Sequence, residues 1–229
     1  MTQRILHTSD LHLCSLGDDA CHSLEALIDT AIRAKVDLTI VAGDLFDHNN
    51  VDGKLVRFTV EQLQRLKVPT VILPGNHDCL CPDSVYNRPD FSKGFADIHV
   101  FKAMDGETFV FPDLRVSVWG KPHVYLPDVD YEPLAGIPQR SREGKWHIAA
   151  AHGYYVSTKD DLLRSFQITH EQIVTSARDY VALGHCVAFT CICNEPVKAY
   201  YSGSASMCRT AALVDLVEQA GVQVTPCHL

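Results

Sequence analysis

The first 73 residues carry a repeating β-α-β-α-β pattern, and this constrains the fold more than any other feature of the chain. Residues 3–8 alternate and then run apolar. Leu24, Leu27, Ile28, Ala31 and Ile32 then recur at helical spacing, so residues 20–35 read as a helix with one apolar face. Asp37 to Ala42 is a second apolar run, Val56, Val60 and Leu63 mark a second helix over 52–66, and Val68 to Leu73 is a third run. Short apolar runs joined by amphipathic helices predict neighbouring parallel strands with right-handed crossovers.

Each of these runs ends in polar groups that a packing account does not need. The first meets Ser9-Asp10-Leu11-His12, the second Gly43-Asp44-Leu45-Phe46-Asp47, and the third Pro74-Gly75-Asn76-His77-Asp78. Gly75 is expected to permit a sharp turn there. Trp146 to Ala151 ends at His152-Gly153, and Tyr180 to Leu183 ends at Gly184-His185. Ligand-binding groups of open α/β sheets gather beyond the carboxyl ends of the strands. If these five strands are neighbours, two carboxylates, an amide oxygen and several imidazoles converge. That donor mixture suits Mn²⁺, Fe²⁺ or Zn²⁺ better than Mg²⁺ or Ca²⁺, which favour all-oxygen shells. A shared carboxylate can bridge two such ions.

The middle of the chain reads differently. Residues 82–97 predict a long irregular loop. Ile98 to Phe101, Glu107 to Phe111 and Arg115 to Trp119 predict short antiparallel strands, and the proline-bearing residues 121–145 an extended surface loop. Thr169 is placed to cap a short helix over 169–177. The tail reads as successive hairpin strands at 187–193, 197–202, 211–217 and 222–226, with Glu218 to Gly221 as the last turn. One two-sheet α/β domain covering 1–229 is the simplest architecture.

Composition narrows the function classes. The net charge of −8 shows no basic footprint of the kind a duplex-binding domain carries, although Arg140, Arg142 and Lys145 cluster in one loop. No apolar run is long enough for a membrane span, and the N-terminus enters a strand pattern at once. The expectation is a soluble cytoplasmic protein with no membrane partner. In that setting the nine cysteines read as reduced, mostly buried hydrophobes rather than disulfides. The pairs Cys79/Cys81 and Cys191/Cys193 do not match zinc-ribbon spacing.

Asp10-x-His12, Gly43-Asp44-x-x-Asp47, Gly75-Asn76-His77-Asp78, His152-Gly153 and Gly184-His185 occur in the order of the calcineurin-like metallophosphoesterase superfamily. The surrounding residues most resemble its DNA double-strand-break repair exonuclease branch, in His-Thr-Ser-Asp-Leu-His-Leu, Val-Ala-Gly-Asp-Leu-Phe-Asp, and Tyr-Val-Ala-Leu-Gly-His followed by Tyr201-Ser202-Gly203-Ser204. The resemblance implies a four-layer αββα sandwich. It also implies two divalent ions, with manganese expected and iron or zinc as alternatives. Asp10 and His12 would hold the first ion, Asp44 would bridge, and Asn76, His152 and His185 would complete the second. His77 would face the substrate phosphate without ligating, and Asp78 would orient His77 by a hydrogen bond. Asp47 would support the site from behind or serve structure. The chain departs from the family at Val187, where the pattern has a histidine ligand for the first ion. A weakened first subsite follows, and the neighbouring Cys186 should point elsewhere because side chains alternate along a strand.

The implied chemistry is phosphodiester hydrolysis by metal-activated water, with DNA or a small nucleotide as substrate. Tyr86, Arg88, His123, Tyr154, Tyr155 and the Gly203-Ser204 turn are candidates for contacts beyond the ions, each with a packing role as its plain alternative. Three rival readings stay open: a small-molecule phosphodiesterase or phosphatase, a single-ion scaffold without catalysis, and a thiol-based sensor built on the two Cys-x-Cys pairs. The sequence carries no signal of oligomeric state.

Overall fold

The computed structural model describes residues 2–92, 97–125, 131–141, 144–159 and 166–229. The opening pattern folds as expected: β1 (Thr2–Thr8), α1 (Asp19–Ala34), β2 (Leu38–Ala42), α2 (Gly53–Gln64) and β3 (Thr70–Leu73). Asp18 and Asp52 cap the two helices, accepting from the backbone N–H groups of Cys21 and Lys54. Both helices lay their apolar faces on one side of the sheet, where Leu24, Leu27, Leu55 and Val56 meet Leu6, Val41 and Ile72. β1, β2 and β3 pair in parallel.

The loop after β3 contains a 3₁₀ turn, Val85–Asn87, and the short helix α3 (Pro89–Ser92). Then come β4 (Ile98–Val100), β5 (Glu107–Phe111), β6 (Val116–Gly120), β7 (Trp146–His152), β8 (Tyr154–Val156), β9 (Gln167–Thr169), α4 (His170–Thr175), β10 (Tyr180–Gly184), β11 (Phe189–Cys193), β12 (Lys198–Ser202), β13 (Thr210–Val217) and β14 (Gly221–His228). They complete two six-stranded sheets, ordered β14-β13-β1-β2-β3-β4 and β11-β12-β10-β7-β6-β5, with β8 and β9 as a separate ribbon.

The sheets pack face to face. Ile5, Ile40, Val71 and Val214 of the first meet Val118, Ile148, Tyr180 and Ala182 of the second. The outer face of the second sheet is covered by α4 and the ribbon, through Ile173 and Ile168 against Ala149, Val181 and Leu183. This is the αββα order, with a thin fourth layer.

Two expectations are corrected. β4 pairs in parallel with β3, not as part of an antiparallel set. Its three residues simply extend the parallel edge, a choice that local alternation does not encode. The tail forms two of the expected hairpins, β11–β12 and β13–β14, but not one continuous series: β12 also joins β10 in parallel, while β13 crosses to the first sheet and pairs antiparallel with β1. The β8–β9 ribbon is an addition that the sequence does not predict, because three-residue strands carry too little periodicity to read. Within the 121–145 loop, residues 126–130 and 142–143 lie outside the described residues. Arg142 is therefore not placed, while Arg140 pairs with Asp179 and Lys145 with Glu218.

Candidate metal centre

Three strands of the first sheet and two of the second end at one edge, and their terminal loops meet there. Asp10 and His12 follow β1, Asp44 follows β2, Asn76, His77 and Asp78 follow β3, His152 closes β7 and His185 follows β10. Asp10, His12, Asp44 and His185 all adopt positive φ, at 54°, 51°, 54° and 101°. Side chains carrying Cβ rarely adopt that conformation, so the surrounding packing holds them in it. Backbone bonds do this: the Asp10 N–H donates to the Gly43 carbonyl and the His12 N–H to the Asp44 carbonyl. The Ser204 hydroxyl, from the Gly203-Ser204 turn, donates to the Asp10 carbonyl at 2.6 Å.

Glycines make room for the donors. A Cβ on Gly184 would run into the Ala42 carbonyl and crowd the His152 ring, and one on Gly75 would run into the Asp44 carboxylate. The expected reason for Gly75, a turn closed to other residues, is therefore replaced by close approach: its φ is not positive.

Each carboxylate is pinned by one oxygen and offers the other. Asp10 Oδ2 accepts from the His185 N–H at 2.9 Å, and Asp44 Oδ1 accepts from the His77 N–H at 3.0 Å. The remaining oxygens, Asp10 Oδ1 and Asp44 Oδ2, each lie 3.9 Å from His12 Nε2. Asp44 Oδ2 also lies 3.1 Å from His152 Nε2. One oxygen thus faces two groups of donors. Donors bound to a common ion at about 2.1 Å sit roughly 3–4 Å apart, and both groups have that spacing.

The second group shows a charge deficit. His152 Nδ1 lies 2.8 Å from the Ala42 carbonyl and donates to it, which turns the Nε2 lone pair toward Asp44 Oδ2 and toward Asn76 Oδ1 at 3.0 Å. His185 Nδ1 adds a fourth atom, 3.2 Å from Asn76 Oδ1. The His152 lone pair and the Asp44 carboxylate, both buried and this close, need a positive charge between them. Burial pushes the His152 imidazole down, but Asp44, its hydrogen bond and Asp10 together raise it to about 9. Burial pushes Asp44 up, and the charge and hydrogen bond of His152 outweigh it and hold the carboxyl well below its usual range. Without a metal, a proton fills the gap. His185 is lowered by burial first and by the His152 charge next. The residues fit divalent ions at both groups, and within the sequence-predicted set all six ligand positions are brought together.

One side chain differs from expectation. Asp78 does not orient His77. Its carboxylate is fully buried beneath the loop, where it accepts from the Gly75 N–H at 2.7 Å, the Phe46 N–H at 3.1 Å and the Tyr86 hydroxyl at 2.5 Å. Burial first and the Asp44 charge second raise it to about 6. Asp78 therefore ties the β2 and β3 loops together. Asp47 takes the orienting place instead. Its carbonyl accepts from His77 Nδ1 at 2.9 Å, and its carboxylate lies 3.1 Å from His12 Nδ1 and 3.5 Å from His77 Nδ1. The His77 side chain is 42% exposed and stands edge-on to His12, with ring centroids 4.6 Å apart. One nitrogen of His77 also falls in a donor group with His12 and Asp44.

Most of the further contact candidates turn out to be supports. Tyr86 is buried on Asp78, and the Arg88 guanidinium donates to the Val51 and Asn49 carbonyls. His123 is buried, lowered to about 3 by burial first and His152 next, and bonds through Nε2 to the His152 carbonyl. The Tyr155 N–H donates to the Tyr201 hydroxyl. Tyr154 is left exposed near His185. Val187 is 37% exposed, and its carbonyl accepts from the Ser204 N–H. Cys186 packs against the cluster that contains Tyr201, and burial raises its thiol. Among the described residues, neither Cys-x-Cys pair joins a group of three donors.

The sequence profile of the family described as calcineurin-like phosphoesterase matches residues 3–189. The uncharacterized metallophosphoesterase YhaO of Bacillus subtilis is 28% identical over 221 residues, which cover 87% of this chain and 52% of that protein. The DNA double-strand break repair protein Mre11 of Sulfurisphaera tokodaii is 36% identical over 204 residues, covering 80% of this chain and 48% of that one. One subunit of the Escherichia coli K12 nuclease SbcCD is 42% identical over 84 residues, 33% of this chain and 21% of its own. The chain thus spans about half the length of the first two. The Thermus thermophilus protein TT1561 shares the fold at 13% identity, with a TM-score of 0.69 over 100% of this chain and 99% of that one.

Proposed function

This chain belongs to the calcineurin-like phosphoesterase family, whose members hydrolyse phosphoester bonds with divalent metal ions, and from that premise we propose that it is a phosphodiesterase with a two-ion centre. The observation that carries the reading is Asp44 Oδ2, one carboxylate oxygen facing His12 on one side and His152 on the other. Asp10, His12 and Asp44 hold the first ion, and Asp44, Asn76, His152 and His185 the second, with manganese as the expected metal. The two sheets share one interior, which supports a single catalytic unit across 1–229.

Bound ions of this kind supply Lewis acidity toward phosphoryl oxygens and an activated water at neutral pH. The chain does the rest. The backbone bonds to Asp10 and Asp44 fix both carboxylates before substrate arrives. Asp47 sets the His12 tautomer so that Nε2 faces the carboxylates. His77 donates through Nδ1 to the Asp47 carbonyl, keeps Nε2 for the substrate and remains open to solvent. It is suited to steady a phosphate oxygen or to hand a proton to the leaving group, a role typically worth about 10²–10⁴-fold. Tyr154 stands at the mouth and can offer a ring face or hydroxyl to a nucleotide.

DNA is the substrate that the Mre11 and SbcCD likenesses support. The net charge of −8 and the pairing of Arg140 and Lys145 with acidic partners favour instead a short or single-stranded phosphodiester over tight duplex binding. The test is hydrolysis of bis-(p-nitrophenyl) phosphate by metal-stripped protein titrated with Mn²⁺. Saturable turnover that falls at least about 100-fold in His77→Ala, with metal binding retained, is the expected result. No turnover at any Mn²⁺ level from folded, metal-binding protein would leave the chain a scaffold.

A further inference from the structure

Beside the centre stands a group of donors of which two, Cys14 and His48, have no part in the phosphoesterase reading. Leu13 and Phe46 form a parallel bridge: the Leu13 N–H donates to the Leu45 carbonyl at 3.0 Å and the Asp47 N–H to the Leu13 carbonyl at 3.1 Å. That bridge sets Cys14 beside His48, with Sγ 3.9 Å from Nε2. Cys14 Sγ, a carboxylate oxygen of Asp47 and a ring nitrogen of His48 all lie within 4.8 Å of one another. Cys14 and His48 are exposed, so an ion reaches them without any opening of the fold.

The spacing and the donor types agree. A thiolate and an imidazole on one tetrahedral zinc ion, with bonds of about 2.3 and 2.1 Å, sit roughly 3.5 Å apart. Closing from 3.9 Å takes a small χ adjustment of two exposed side chains. A thiolate, an imidazole and one carboxylate select Zn²⁺ or Cd²⁺ over Mn²⁺ and Mg²⁺.

Asp47 connects this group to the centre, because its Oδ1 lies 3.1 Å from His12 Nδ1. A cation that draws on the same carboxylate weakens it as the acceptor that orients His12. We infer that Cys14, Asp47 and His48 form a rim site for one thiophilic divalent cation of the zinc class, and that its occupancy loosens the first catalytic ion. Binding replaces the Cys14 S–H bond by a sulfur–metal bond and releases the proton to solvent. The site itself stands on geometry alone; the coupling rests on the proposed function.

The experiment loads the metal-stripped full chain with Mn²⁺ and titrates Cd²⁺, following the ultraviolet thiolate-to-cadmium charge-transfer band, with Mn²⁺-dependent turnover read in parallel against added Zn²⁺. One saturable equivalent of the band is expected, absent in Cys14→Ser and weakened about 10-fold or more in His48→Ala. Zn²⁺ should raise the Mn²⁺ level needed for half-maximal turnover several-fold in the wild type, and less in either variant. No band, or the same band in Cys14→Ser, overturns the rim site. The expected band with turnover indifferent to Zn²⁺ overturns the coupling. The band without turnover in any protein supports the site and removes the phosphoesterase reading.

Discussion

The two halves of the centre are built to different standards. The second, around His152, is closed: His152 is fully buried, its ring is fixed by the Ala42 carbonyl, and Asp44, Asn76 and His185 surround one point. The first, around His12, is open. It has two carboxylate oxygens and one imidazole, a valine at the family's further ligand position, and an orienting partner in Asp47 that is itself 41% exposed. His152 closes β7 and His185 directly follows β10, whereas His12 stands four residues beyond the end of β1. Under the proposed two-ion reading, the more open first half should exchange its ion more readily than the second.

The contrast breaks down if metal affinity of the second half ignores pH. His152 is raised to about 9, so below that pH an ion must displace its proton. Affinity at the second half should rise about tenfold per pH unit from 6.5 to 9 and level off above, with about one proton released per ion near pH 7. Calorimetry in buffers of different ionisation heat reads this directly. For the metal-free protein the sign is opposite: the raised imidazole contributes stability fully below 6.5, and this is lost as pH climbs through 9. An affinity flat over that range would show that no proton occupies the gap.

Asp47→Asn should separate the halves. It weakens the acceptor behind His12 and should cost about 10–100-fold in affinity for the first ion, with the second unchanged in the same titration. Equal losses at both would mean that Asp47 supports the loops in general rather than His12. The smallest effect is expected from Val187→His, which offers the first ion one more imidazole and should tighten it several-fold, read as manganese stoichiometry under dilution. Unchanged stoichiometry and affinity would place residue 187 out of reach of the first ion.

How much could be read without coordinates follows the range of the interactions. The β1–α1–β2–α2–β3 core was legible because buried strands and amphipathic helices carry their burial in local periodicity, and the donors were legible because each sits where such a run stops. Val187 stood out against a short motif for the same reason. The partner of His77 was not legible: Asp78 is adjacent in the chain, but three donors from Gly75, Phe46 and Tyr86 claim it, and Asp47, 30 residues away, takes the place.

From sequence alone came the parallel first third, the six donors at strand ends and the family likeness, all of which depend on residues close together in the chain. Tertiary structure alone decided that β13 crosses to the first sheet, that one oxygen of Asp44 faces both halves of the centre, and that Cys14 meets His48. These follow from how two sheets pack and which backbone groups must be satisfied where they meet, and neither leaves a period or a motif in the chain.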